Sequence, residues 1–165
     1  MAELVTWLES TALATWTRES GSIWAYPTIL TLHTAGLGIV VGAGAVLDVT
    51  LLGYAPRLPL PALAPLFGII WWAFALNALT GVVLFIADAT VKSHQVVFYV
   101  KLTLIALALW NTALIRRTVF RALEAADQAI VEIPGPVVRR GRMLAVISLV
   151  LWAAAITAGR LMAYL

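Results

Sequence analysis

Residues 96–115 read VVFYVKLTLIALALWNTALI, and this stretch decides what kind of protein the chain is. It carries a single charged residue, Lys101, in twenty positions. A helix of that length rises about 30 Å, which matches the hydrocarbon core of a bilayer. The stretch therefore predicts a membrane-spanning helix, and it raises the question of why an ammonium group lies inside one.

Three other segments are long and apolar enough to span, so the predicted spans are 23–52, 66–87, 96–115 and 144–165. The chain is 62% hydrophobic and 12% charged, which is more apolar than a soluble core of this length could bury. A spanning segment must satisfy its own backbone, and the short alternation of a membrane barrel is missing. We predict an all-α integral membrane four-helix bundle, formed as one domain over residues 1–165.

The first twenty residues have the pattern of a short interfacial helix. Glu3 and Glu9 lie where a signal peptide would carry basic residues, so we expect no cleavable signal. Helical spacing places four apolar residues on one side of this segment, namely Leu4, Leu8, Ala12 and Trp16. We therefore expect residues 1–20 to lie along the membrane surface.

The only long connection joins spans three and four. Residues 116–133 predict a cytoplasmic extension of span three, which ends where "IPGP" breaks the helix. The extension has one apolar stripe, made of Val119, Leu123, Ala126 and Ile130. A solvated helix whose stripe faces lipid is the favoured interpretation, and a docking surface for a partner is the alternative.

The basic residues predict the orientation of the chain. The two loops that share a side carry seven arginines, namely Arg57, Arg116, Arg117, Arg121, Arg139, Arg140 and Arg142. The opposite side has Arg18, Lys92 and Arg160. This asymmetry predicts a multi-pass protein of the bacterial inner (cytoplasmic) membrane with both termini in the periplasm. Basic residues are not interleaved with aromatic ones, which argues against a nucleic-acid partner.

Cysteine is absent from the sequence. That excludes structural disulfides, thiolate metal sites, iron–sulfur clusters and covalent CxxCH haem attachment. Histidine, lysine, methionine, asparagine and carboxylates remain as ligands, so few groups would hold any cofactor.

Polar side chains of three spans are expected to meet in the outer half of the bundle. His33, Asn77 and Lys101 lie at similar depths when counted from the outer surface, and His94 is expected one or two turns above Lys101 on the same helical face. An ionisable residue inside a span costs about 2.5–3.5 kcal/mol, so it usually serves a cavity, a partner or a function. The alternatives are hydrogen bonding of His33 or Asn77 to a neighbouring helix, and a Lys101 that reaches the surface.

These groups suit a b-type haem, which needs one or two axial nitrogen ligands on facing helices. His33 is the best metal ligand. The second is Lys101, which has the better depth and must be neutral to ligate, a form that burial favours, or alternatively His94, which has the usual ligand chemistry but a shallower position. Space for the ring would come from Gly36 and Gly44, which share the side of His33.

Cations close to the membrane surface would bind the haem propionates. Lys92 and Arg160 are placed for this role at the outer ends of their spans.

Nearly the whole chain resembles a group of small four-helix bacterial inner-membrane proteins of unassigned function. The resemblance is carried by "PTILTLHTAGLGIVVGAGAVLDVTLLG", "LTGVVLFIADA", "FYVKLTLIALALWN" and "GRLMAYL". A histidine in span one with a lysine in span three is also similar to HemJ-type protoporphyrinogen oxidases and to CopD-type membrane domains. The HemJ resemblance implies a b-type haem held by His33 and Lys101, and the CopD resemblance implies copper transport.

The sequence thus predicts a membrane haem b protein of electron transfer, either a haem-dependent oxidoreductase or a subunit of a larger respiratory or redox complex. Expected partners are the lipid bilayer, a quinone or a periplasmic redox protein, and further copies or subunits. The alternative is a small transporter or channel in which His33, Asn77 and Lys101 line an ion or proton path. A membrane anchor without catalytic function is a third interpretation.

Overall fold

Four long helices form the protein in a computed structural model that describes residues 2–55, 57–129, 135–162 and 164. They are α3 (Tyr26–Leu52), α4 (Leu66–Ile86), α6 (Val96–Ile115) and α8 (Gly135–Leu161). All four are long and apolar enough to cross a bilayer, and the described residues contain no strand. The predicted all-α membrane bundle of four helices is confirmed.

The ends of the long helices follow local backbone chemistry. α3 ends at Gly53, whose φ of 92° is a left-handed conformation that glycine adopts without strain. α8 begins at Gly135, nine residues before the predicted start, because Pro136 lies in the first turn, where a missing N–H breaks no helical bond. A 3₁₀ turn (Leu60–Leu63) precedes α4.

The predicted extension of span three is helical as far as it is described. A π-helical turn (Arg116–Phe120) leads into α7 (Arg121–Ala129), and residues 130–133 lie outside the described residues. Val119 and Leu123 are buried in the core of the bundle. The interpretation of their stripe as facing lipid is therefore wrong for these two residues.

The bundle consists of two helix pairs. α3 packs along α4, α6 packs along α8, and contacts between α3 and α8 join the pairs. We call the end of the bundle at which α3 and α6 begin the terminal end, and the opposite end the loop end. Most of the largest fully buried side chains lie toward the loop end, among them Phe67, Phe120, Leu47, Ile70 and Ile115.

Large apolar side chains cover the outside of the helices. Trp72 is 81% exposed, Leu79 69% and Trp110 64%, all within spanning segments. Exposing this much apolar surface to water would be unfavourable, whereas contact with lipid tails is not. The chain is therefore a multi-pass membrane protein in contact with the bilayer.

The N-terminal segment forms two short helices, α1 (Ala2–Glu9) and α2 (Ala12–Glu19), where one was predicted. Thr11 separates them, because its hydroxyl accepts a hydrogen bond from the Ala14 N–H at the start of α2. Glu9 accepts hydrogen bonds from the Thr90 N–H at 2.6 Å and the Thr90 hydroxyl at 2.7 Å. These bonds dock the N-terminal segment on α5 (Ala89–His94), the short helix between α4 and α6.

Candidate functional site

Two cavities open at the terminal end of the bundle, with volumes of about 310 and 600 Å³. They share part of their lining, namely His33, Asn77, Lys92, Lys101, Ile105 and Met162. Both volumes fall in the range of about 300–1,000 Å³ that is typical of cofactor and ligand sites. The two cavities together surround the groups that the sequence singles out.

Each cavity lies between the two helix pairs. The smaller one separates α4 from α6 and is mostly apolar, and it is bordered by the stacked rings of Phe85 and Phe98, whose centroids are 5.1 Å apart. The larger one is lined by α3, α5 and α8 as well as by α6, and it is more polar. His33 belongs to the α3–α4 pair and Lys101 to the α6–α8 pair, so each pair contributes one nitrogen group.

The protonation of the His33 ring follows from its hydrogen bonds. Its Nδ1 is 2.9 Å from the backbone carbonyl of Asn77 and 3.2 Å from the Thr80 hydroxyl. Since a carbonyl oxygen can only accept, Nδ1 carries the proton and donates it. The neutral ring then has its lone pair on Nε2, which makes no hydrogen bond to the described residues. A carbonyl partner on one ring nitrogen is the usual way to orient the other toward a metal.

Asn77, which lines both cavities, uses its side-chain amide to bind the backbone of His33. Its side-chain Nδ2 donates to the His33 carbonyl at 2.7 Å, which completes a reciprocal pair of bonds between α3 and α4. Gly36 allows this close approach, because a Cβ there would lie 3.1 Å from the Ala73 carbonyl and 3.2 Å from the Asn77 Cβ. Gly36 therefore serves the packing of α3 against α4, and the space beside it is filled by α4 and is not free for a haem ring.

Two other glycines lie beside the nitrogen groups. A Cβ at Gly81 would be 3.0 Å from His33 Cε1, and a Cβ at Gly159 would be 3.5 Å from Lys101 Cε. Gly44 instead faces Trp152 of α8, whose Nε1 would be 3.8 Å from a Cβ there, and it lines neither cavity.

Lys101 is partly buried and makes no hydrogen bond or ion pair with the described part of the chain. The residue lines both cavities, and its Nζ would lie 3.6 Å from a Cβ on Gly159. This Nζ atom therefore differs from that of Lys92, which is already bonded. An amine without a partner in an apolar bundle needs a ligand, a lost proton or access to water.

The polar lining of the larger cavity includes Lys92, Asp88, Gln95 and Arg160. Lys92 donates to the Leu84 carbonyl at 2.6 Å and lies 3.8 Å from the Asp88 carboxylate; burial lowers the pKa of Lys92, and Asp88 opposes this effect. Arg160 is exposed and has no ion pair with a described residue. The Gln95 amide oxygen is buried and has no hydrogen-bond partner among the described residues.

His94 lies outside both cavities. It is exposed, and its Nδ1 is 2.7 Å from the Thr90 carbonyl. The prediction that His94 shares a helical face with Lys101 is wrong, because α5 ends at His94 and α6 begins only at Val96.

Sequence reasoning missed several residues that line or shape the site: Thr80, Gly81, Gln95, Gly159 and Met162. The signal for two of them was available, since Thr80 and Gly81 follow Asn77 by three and four residues and so share its helical face. The role of Gly159 and Met162 could not be predicted, because it depends on how α6 packs against α8 and no pattern in span four indicates a contact with Lys101.

The described residues contain no group of three or more His, Cys, Asp or Glu side chains that could hold a bare metal ion. A metal here would have to arrive in a cofactor that brings most of its own ligands. Comparison of the chain with protein-family profiles, curated proteins and solved structures found no match. The resemblance to HemJ-type and CopD-type proteins therefore stays a prediction.

Proposed function

We propose that this chain is a membrane b-type haem protein that transfers electrons, in which His33 and Lys101 would hold the haem iron. One observation carries the proposal: His33, whose Nδ1 is hydrogen-bonded and whose Nε2 is left for a ligand, and Lys101 come from different helix pairs and line the same two cavities. A porphyrin with two axial nitrogen ligands requires such an arrangement.

The other residues around the cavities fit this cofactor. Gly81 and Gly159 keep side-chain bulk away from the two nitrogen groups. Lys92 retains free N–H donors for a propionate, and Arg160 at the rim offers a second cation. When bound, the haem iron would supply one-electron redox chemistry.

The protein's own contribution is orientation and exclusion of water. The Asn77 carbonyl and the Thr80 hydroxyl fix the His33 ring, while the apolar walls of α4 and α6 keep the site dry. A quinone could reach the cleft between α4 and α6 from the lipid, and a periplasmic redox protein could approach the terminal end. Assembly as a homo-oligomer or as a subunit of a membrane complex in the bacterial inner membrane, with periplasmic termini, completes the proposal.

The test is the visible spectrum of the detergent-purified protein, air-oxidised and dithionite-reduced, with pyridine extraction to identify the pigment. We expect stoichiometric haem b, and we expect Lys101→Ala to change the spectrum. The matched control is His94→Ala, which removes a basic residue outside the cavities and should leave the spectrum unchanged.

Native spectra in both variants would overturn the lysine ligand. A colourless protein, even after haem is supplied during expression, would overturn the haem proposal. In that case, ion or proton flux that depends on Lys101 in proteoliposomes would support the alternative function, a path lined by His33, Asn77 and Lys101.

A further inference from the structure

A carboxyl group is sealed inside the other half of the bundle. Asp48 of α3 is 0% exposed, and neither of its carboxyl oxygens has a hydrogen-bond partner among the described residues. The buried Ser148 hydroxyl of α8 approaches it without forming a bond of good geometry. Asp48 lines neither of the cavities at the terminal end, so the proposed haem site does not account for it.

No cation among the described residues forms an ion pair with this carboxyl group. Of the elements with the most extensive contacts to α3, α4 and the 3₁₀ turn contain no titratable residue. The π-helical turn, whose Val119 shares the core with Leu51 of α3, carries Arg116 and Arg117, both exposed. The titratable groups of α8 are Arg139, Arg140, Arg142 and Arg160, all exposed. Arg142 comes nearest to the end of α3, where its Nη2 would be 3.8 Å from a Cβ on Gly53, and it forms no ion pair with Asp48.

An isolated carboxylate in such surroundings would lose its hydration without replacement, at a cost of several kcal/mol. Hard cations need about six or more oxygen ligands, whereas the described side chains offer a carboxyl group and one hydroxyl here and no group of three or more His, Cys, Asp or Glu. A proton needs a single oxygen atom. Asp48 lies four residues before the last residue of α3, so water at the loop end is only about one helical turn away.

We propose that Asp48 is a proton-binding site: its carboxyl group is protonated at neutral pH and exchanges this proton with water on the loop side. The Ser148 hydroxyl is the group to which the acid O–H would donate after a small side-chain movement. The site provides the membrane protein with one proton that can be taken up or released at the end opposite the cavities.

Infrared spectroscopy tests the proposal on the full-length protein, with or without cofactor. We expect a carboxylic-acid C=O band at neutral pH that shifts when aspartate is labelled with ¹³C at the side-chain carboxyl. The band should disappear in Asp48→Asn, persist in Glu124→Gln, which removes an exposed carboxyl of α7, and shift to higher frequency in Ser148→Ala. Transfer to D₂O should lower its frequency within minutes.

Two results would overturn the proposal. If no ¹³C-sensitive acid band exists at neutral pH, the carboxyl group is ionised. A band that remains unshifted after hours in D₂O would show a proton that does not exchange. The isotope measurement uses the unmutated protein, so it decides the question even if Asp48→Asn fails to fold. Neither result depends on whether the cavities hold haem.

Discussion

The two halves of the bundle are built differently. Toward the loop end, Phe67 and Phe120 are 1% and 2% exposed and meet edge to face with their ring centroids 4.8 Å apart. Toward the terminal end, the stacked rings of Phe85 and Phe98 border a cavity instead of filling the core. One half is a packed core, whereas the other leaves space between the helix pairs.

The ionisable groups of the spanning helices and of α5 that lie at the cavities or in the core also differ between the two halves. Basic groups at the terminal end, Lys92, Lys101 and Arg160, line the cavities, while the single carboxyl group of α3 is enclosed near the loop end. A packed core stabilises the fold but has no space for a ligand. An open cleft has space for a ligand but contributes less packing to stability. We infer that stability and ligand binding have been assigned to opposite ends of the same four helices.

The largest expected effect is in the packed half. Phe67→Ala removes a fully buried ring and should reduce the free energy of unfolding by about 3–5 kcal/mol, because the cavity left behind cannot collapse fully. The matched variant is Phe98→Ala, whose ring is only partly buried and which should cost clearly less. Thermal unfolding in one detergent compares the two, and equal losses would contradict the division into a packed and an open half.

The next effect concerns the contact between Gly81 and His33. Gly81→Ala places a methyl group 3.0 Å from His33 Cε1, so the ring or the helix must shift, at a cost of about 1–3 kcal/mol. Gly68→Ala in the same helix is the control, since a Cβ there meets nothing within 4 Å. The unfolding temperature should fall in the first variant only, and so should the haem content if the proposed cofactor is bound. Unchanged behaviour of Gly81→Ala would show that His33 is not held as described.

The sequence predicts the spans because lipid imposes simple rules. Twenty apolar residues and a helical backbone are required whatever the packing, so 96–115 could be assigned without knowing its neighbours. The start of α8 was harder to predict. The arginines near its N-terminus are typical of a loop outside the membrane, but the helix begins before them and extends beyond the apolar span.

The candidate site was predictable in its groups but not in its geometry. His33 and Lys101 stand out because charge is expensive inside a span. The error over His94 arose because the break at Gln95 has no proline or glycine to mark it. Gly36 and Gly44 were assigned by their angle from His33, but an angle on one helix does not say which neighbour fills that side.

A smaller effect is expected from the Thr80 hydroxyl. Thr80→Val keeps the shape but removes one bond to His33 Nδ1, which should cost about 0.5–1.5 kcal/mol while the Asn77 carbonyl still accepts. ¹⁵N NMR of the His33 ring should still show Nδ1 protonated. Thr157→Val, which loses only a bond within an exposed part of α8, is the control. A change of tautomer in Thr80→Val would mean that the carbonyl does not fix the ring alone.

The smallest effect lies outside both halves, where Glu9 holds the N-terminal helices against α5. Hydrogen bonds from the Thr90 N–H and then from its hydroxyl lower the pKa of Glu9 below its ordinary value. The docking that they stabilise is therefore complete above the ordinary pKa and is lost as the pH falls through the lowered one. The protection of residues 2–19 against hydrogen exchange, relative to the intrinsic exchange rate at each pH, should therefore fall in acid.

Glu9→Gln should weaken this docking already at neutral pH and remove most of its acid dependence, because the amide carries no charge to titrate. Glu3→Gln, a change at an exposed carboxyl of the same helix, is the control and should exchange like the unmutated protein. Identical exchange in Glu9→Gln and the unmutated protein at neutral pH would mean that apolar contacts dock the segment. Apolar packing would then hold the N-terminal helices in place, as it holds the packed half, although these helices lie beside the open half.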